Sequence, residues 1–187
     1  MGIQAAFQKF HQEAKIIGRL LCGYTELELD LMHCVQVVRD DFDTTLKILF
    51  RIRGESQRIA IADAFGRHYY HDLKLGTQFE MAIGSIQHCP RIRNQYAHCI
   101  WWDDNSDQLT FADLEEIAKG NATIKDFQNL TSLHLDVPCL QAQEKYFSYT
   151  DSLLLWVNYE GRFRAGKLPS HNRVNPPQLR QPILHIP

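Results

Sequence analysis

The sequence predicts an all-α fold: an up-and-down helical bundle with a small β-hairpin inserted before a long C-terminal helix. Apolar residues recur at three- and four-residue spacing through most of the chain, beginning with Ile3, Phe7, Phe10, Ala14, Ile17 and Leu21. Two capping-box pairs, Thr25 with Glu28 and Thr77 with Glu80, mark helix starts. The turn-rich run Asp103-Asp104-Asn105-Ser106-Asp107 separates two short apolar segments and predicts the hairpin.

The first helix is expected to end at Gly23, the default residue for a helix C-terminus. A second then runs from Thr25 to Arg39 through Leu27, Leu31, Cys34, Val35 and Val38, with Tyr24 and Leu29 in the staple positions. Asp41 or Asp43 can cap a third, carrying Leu46, Leu49 and Phe50 towards Gly54. A fourth is expected over residues 56–73, with Ile59, Ala62, Ala64, Phe65 and Tyr69 as its apolar series. The fifth opens at Gly76 and Thr77 and carries Phe79, Ala82, Ile83 and Ile86. Pro90 has no amide to donate, so the helix is expected to kink there or to restart with Pro90 in its first turn, leaving residues 91–101 helical. Ile100-Trp101-Trp102 and Leu109-Thr110-Phe111 then form the hairpin. A short helix over 113–119 stops at Gly120, and residues 133–137 alternate like a strand. A long helix over 140–164 follows, with Phe147, Leu154, Trp156 and Val157 in its core. Five of the seven prolines lie beyond it and keep the tail extended. One helical domain over residues 1–166 and a Pro-rich tail over 167–187 result, with no internal repeat and no second core.

Composition narrows the function classes. With 44% hydrophobic and 22% charged residues the chain reads as an ordinary globular protein, neither disordered nor collagenous. No apolar run approaches the roughly 18 residues a bilayer span needs, and Gln4, Gln8 and Lys9 interrupt any signal-peptide core. The cytoplasm is the expected compartment, with no membrane partner. Five cysteines with no C-x-x-C spacing fit reduced thiols better than a disulfide framework. His-Cys neighbours such as His98-Cys99 do not suggest zinc, because adjacent helical residues point about 100° apart. No metal ligand set and no cofactor are expected. A net charge of −2 argues against nucleic-acid binding through bulk charge, yet leaves room for a local basic site.

The segment Arg91-Ile92-Arg93-Asn94-Gln95-Tyr96-Ala97-His98 carries the parts for phosphate-ester chemistry. A guanidinium binds phosphate oxygens bidentately and meets the charge that builds in the transition state. An imidazole can take a proton from a ribose 2'-hydroxyl or return one to the leaving oxygen. Bare R-x4-H spacing is unspecific, since Arg180 and His185 repeat it around Pro182 in the tail. Context separates the two: Asn94 and His98 lie four apart on an expected helix, where the amide can orient the imidazole. Arg93, Asn94 and His98 are therefore the catalytic candidates. Arg91, Tyr96 and Glu26 are candidates for substrate binding, although packing is the simpler account of Tyr96, Trp101 and Trp102.

Arg93-Asn94-x-x-x-His98 resembles the R-N-x-x-x-H form of the R-x4-6-H motif of HEPN domains, all-helical domains of bacterial toxin, antivirus and RNA-processing systems. The resemblance implies a HEPN-like bundle, a homodimer whose paired motif helices line one cleft, and a metal-independent ribonuclease acting on RNA. It also implies that Arg93 holds phosphate, that His98 serves as general acid or base, and that an early-helix residue such as Glu26 or Glu28 completes the site. An antitoxin is the protein partner such systems suggest. Ile100 stands where the tyrosine of the H-x-Y variant would be, and nothing past Trp102 matches the family. Spacing points to two subunits on separate grounds, because residues five apart on a helix lie about 140° from one another.

Two alternatives stay open: a non-catalytic dimer binding nucleotide, RNA or a protein through the same cleft, and a metal-dependent hydrolase, for which no H-E-x-x-H pattern appears. The tail is left between disorder and a clasp on a partner subunit, the apolar end Ile183-Leu184-His185-Ile186 favouring the clasp.

Overall fold

A computed structural model describes residues 5–119 and 132–186. The chain is mainly helical, with a small antiparallel sheet. In order it forms α1 (Ala6–Lys9), α2 (His11–Arg39), α3 (Phe42–Arg51), α4 (Glu55–Asp72), α5 (Gly76–Ala97), β1 (Cys99–Trp102), β2 (Leu109–Asp113), α6 (Leu114–Lys119), β3 (Leu133–Leu135) and α7 (Val137–Arg164). The expected role of Ile3 lies outside the described residues.

Gly23 does not end a helix. The stripe Ile17, Leu20, Tyr24, Leu27, Leu31 and Val35 is buried along its whole length, so α2 runs through the glycine. A glycine inside a helix costs about 1 kcal/mol against alanine, less than the burial of any one of those large side chains gains. The capping box expected at Thr25 is therefore not used. Glu28 instead pairs with Arg58 at 2.7 Å, both nearly buried. At α3 the cap is Asp41, whose side chain accepts from the amide of Thr44 at 3.0 Å.

The burial phase of α4 also differs from the expected one. Its buried residues are Ile59, Ala62, Gly66 and Tyr70, not Ala64 and Tyr69. Apolar counting misses this face because one of its positions is a glycine, which has no side chain to count. Pro90 likewise sits inside α5, a single helix of 22 residues, rather than opening a new one.

The described residues divide into two compact units. The first draws on the stretch ending at Cys22, on Arg91–Lys145 and on the stretch beginning at Pro182; the second comprises Gly23–Pro90 and Tyr146–Gln181. Helices α2, α5 and α7 contribute to both.

Four helices meet at Tyr70 in the second unit. The ring is fully buried and stacks on Phe79 of α5 at 4.4 Å and 10°. Its hydroxyl donates to the Cys34 carbonyl of α2 at 3.0 Å. Gly161 of α7 gives it room: a Cβ there would stand 2.8 Å from the Tyr70 ring. Gly66 does the same for Phe79, whose ring tip would meet a Cβ at 2.3 Å. Gly66→Ala should therefore destabilise the protein by about 1–3 kcal/mol. Gly84→Ala, with nothing within 4 Å of the new Cβ, should leave stability unchanged or raise it. Denaturant unfolding of the two variants checks the contrast, and equal midpoints would refute it.

The second unit also holds a carboxyl pair, Asp30 of α2 with Asp151 of α7. Burial first, then the hydrogen bond to Asp151 and the negative charges of Asp151 and Glu26, push Asp30 up to about 8, with Arg173 opposing them. Unfolded, the same group titrates near 3.8. Between those values the folded chain binds the extra proton, so this contribution to stability is full below the lower value and is lost as pH rises through the higher one. Asp30→Asn removes the ionisation but keeps a hydrogen-bonding side chain. It should raise the thermal midpoint clearly at pH 8.5 and little at pH 5, as read by calorimetry, and the same shift at both values would contradict the assignment.

Candidate functional site

The first unit contains the sheet and the end of α5, and its local geometry follows from a competition for residues 98–102. β1 pairs antiparallel with β2, Cys99 opposite Asp113 and Trp102 opposite Thr110, and β2 pairs with β3, Leu109 opposite Leu135. Asn105 and Asp107 take the left-handed conformation in the connecting turn, where aspartate and asparagine are best tolerated. Asp103 and Asp104 accept there from the amides of Asn105 and Ser106 at 2.9 and 3.0 Å. Trp101 packs on Phe7, Tyr96 and Phe111 with ring centroids 5.2–5.9 Å apart. These pairings draw Ile100 and Trp101 into a strand, so the helix expected over 91–101 stops at Ala97.

His98 is consequently the single residue between α5 and β1. Its side chain is 49% exposed, and Nε2 stands 3.6 Å from Oε1 of Glu115, which is 60% exposed on α6. That separation is too long for a hydrogen bond and close enough for a weak, solvent-screened attraction. Glu115 was not legible as a site residue. It arrives beside His98 because the β1–β2 pairing continues into the bond from the Leu114 amide to the His98 carbonyl at 3.3 Å.

Arg93 and Asn94 lie in the last turns of α5, both half-buried. Arg93 donates through Nη1 to Asn94 Oδ1 at 2.8 Å, so the amide oxygen is turned to the guanidinium. The expected i, i+4 orientation of His98 by Asn94 needed both on one helix, and His98 is outside it. Arg91 is exposed on the same helix. Glu26 is exposed on α2 and belongs to the second unit, as does Glu28 with its partner Arg58.

Tyr96 corrects its sequence assignment. It is 3% exposed and cannot stack on a base from within the core. Its hydroxyl donates to Gln143 Oε1, and burial raises its pKa well above the ordinary tyrosine range. Gln143 of α7 is itself fully buried and donates from Nε2 to the carbonyls of Ile183 and Leu184 at 2.9 and 2.8 Å. Gln95 donates to the Leu184 carbonyl at 2.8 Å. The tail thus folds back on its own chain, where the expected clasp was on a partner.

Among the described residues no group of three or more His, Cys, Asp or Glu side chains could hold a metal ion, and no helix is long and apolar enough to cross a membrane. All five cysteines are free thiols. A cleft in the second unit, lined by Glu28, Leu31, Leu49, Phe50, Arg58 and Ile59, encloses about 240 Å³ including open solvent.

Together these features define a mainly α-helical protein in which a helix–strand junction presents a half-exposed histidine one turn beyond an arginine–asparagine pair. Comparison with protein-family models, with curated proteins and with solved structures found no match.

Tyr96→Phe leaves the buried amide oxygen of Gln143 without its hydroxyl donor. It should cost about 1–3 kcal/mol of stability. Chemical denaturation is the measurement, and a wild-type midpoint would show that the bond contributes nothing.

Proposed function

We propose that the chain is a HEPN-like, metal-independent endoribonuclease that works as a homodimer in the cytoplasm and cleaves single-stranded RNA. The observation that carries this reading is His98 half-exposed at the end of the helix that bears Arg93 and Asn94. An imidazole buried among apolar side chains would have left no route to a polyanion.

In the proposed reaction a neutral imidazole takes the proton of a 2'-hydroxyl. The oxygen attacks the adjacent phosphorus, the bond to the 5'-oxygen breaks, and a protonated imidazole supplies the proton that this oxygen takes up. The products are a 2',3'-cyclic phosphate and a free 5'-hydroxyl. Two copies of the motif across a two-fold axis provide both imidazoles, one as base and one as acid. Arg93 meets the charge of the pentavalent phosphate, held in orientation by Asn94. Arg91, exposed on the same helix, suits a backbone phosphate outside the cleavage point. A toxin or antivirus setting, with an antitoxin as partner, belongs to the same proposal.

Purified protein in EDTA should cleave a single-stranded RNA and spare the all-deoxy strand of the same sequence. His98→Ala and Arg93→Ala should each lower the rate by at least about 100-fold, the usual scale for removing an acid–base or oxyanion-stabilising group. Cleavage that persists in both variants overturns the catalytic assignment. Binding of RNA without turnover in the unaltered protein assigns the non-catalytic dimer instead.

A further inference from the structure

The end of the tail is held by bonds that reach the motif. Residues 168–181 make no backbone-to-backbone hydrogen bond with the described residues. The chain regains one at Ile186, whose amide donates to the His134 carbonyl of β3 at 3.0 Å and forms a single bridge there. Between these points the anchors include the side-chain amides of Gln95 and Gln143 on the Ile183 and Leu184 carbonyls, and the His185 ring against Phe111 at 6.5 Å. Ile183 is 59% exposed, and Leu184, His185 and Ile186 are half-buried. A chain end outside the regular elements opens more readily than the helices and sheet it lies on.

The amides that hold this segment are not neutral bystanders. Gln95 lies inside the Arg93–His98 motif. Gln143 presents one face of its amide to the tail and the other to the Tyr96 hydroxyl, two residues before His98. While the tail is docked, the amide can point only one way, nitrogen to the tail carbonyls and oxygen to Tyr96. When the tail leaves, a fully buried N–H donor loses both of its carbonyl acceptors and is left with the weak sulfur acceptor of Cys139 at 3.6 Å.

We propose that residues 182–186 are a detachable strap whose docking on Gln95, Gln143 and β3 holds the motif-bearing end of α5 in its present conformation. The strap and the motif are then linked reciprocally: loosening either loosens the other by the same factor. This holds whether or not the motif cleaves RNA, and its test uses no RNA.

Two variants of the full-length chain test it from opposite ends. Ile186→Pro removes the amide that donates to His134 without touching the motif. It should speed trypsin cleavage after Arg180, an exposed residue just before the strap, by about tenfold, the effect of losing one good hydrogen bond. It should also speed hydrogen exchange at the amides of Tyr96, Ala97 and His98, while α4 exchanges as before. Gln95→Ala removes one carbonyl contact from the motif side and should speed exchange at the Ile186 amide. Faster cleavage after Arg180 with unchanged exchange at residues 96–98 would show an uncoupled tail and overturn the proposal. So would a cleavage rate that neither substitution alters.

Discussion

The buried amide of Gln143 is the constraint on which the first unit depends. It has one acceptor and one two-proton donor group, and the fold supplies a partner for each: the Tyr96 hydroxyl on one side, the carbonyls of Ile183 and Leu184 on the other. An amide without exposure to water cannot leave either half unmade at small cost. Three segments distant in sequence, the end of α5, the early part of α7 and the end of the tail, are thereby brought to one point. The aromatic group of Tyr96, Trp101 and Phe111 packs beside it and ties in the sheet.

The position of His98 is a consequence of that packing. α5 can extend only to the point where the Trp101 ring must join Phe7, Tyr96 and Phe111, and a strand rather than a helix carries it there. The residue at the changeover has neither helical neighbours above it nor strand neighbours to both sides. That leaves its side chain open to solvent, and the same β-pairing brings α6 and Glu115 alongside. A helix continued to Trp101 would have put His98 one turn from Asn94 and away from Glu115. Exposure of the imidazole and the identity of its acidic neighbour thus have one cause.

The second unit follows a different rule, in which missing side chains matter as much as present ones. Tyr70 and Phe79 stack where four helices converge because Gly66 and Gly161 offer no Cβ against them. The hydroxyl of Tyr70 is satisfied by a main-chain carbonyl, so a large aromatic with a polar end can lie wholly inside. The pair Asp30 and Asp151, on α2 and α7, is tolerated because a carboxyl that keeps its proton is a hydrogen-bond donor and not a buried charge.

Periodicity and capping chemistry determined most of what is helical here. The stretches of α3, α4 and α7, a cap at Asp41 or Asp43, the hairpin around Asp103–Asp107 and the core positions Phe79, Ala82, Ile83, Ile86, Leu154 and Val157 all follow from local spacing and turn preference, interactions that act over a few residues. The residue types of the candidate site, Arg93, Asn94 and His98, were legible in the same way. Tertiary structure decided what local rules cannot rank: that α2 passes through Gly23, that α4 turns Tyr70 inward and not Tyr69, that His98 leaves the helix, and that Tyr96 is core. In each case the local preference is worth about 1 kcal/mol or less, and the burial of a large side chain or the pairing of a strand, made by residues far away in the chain, outweighs it.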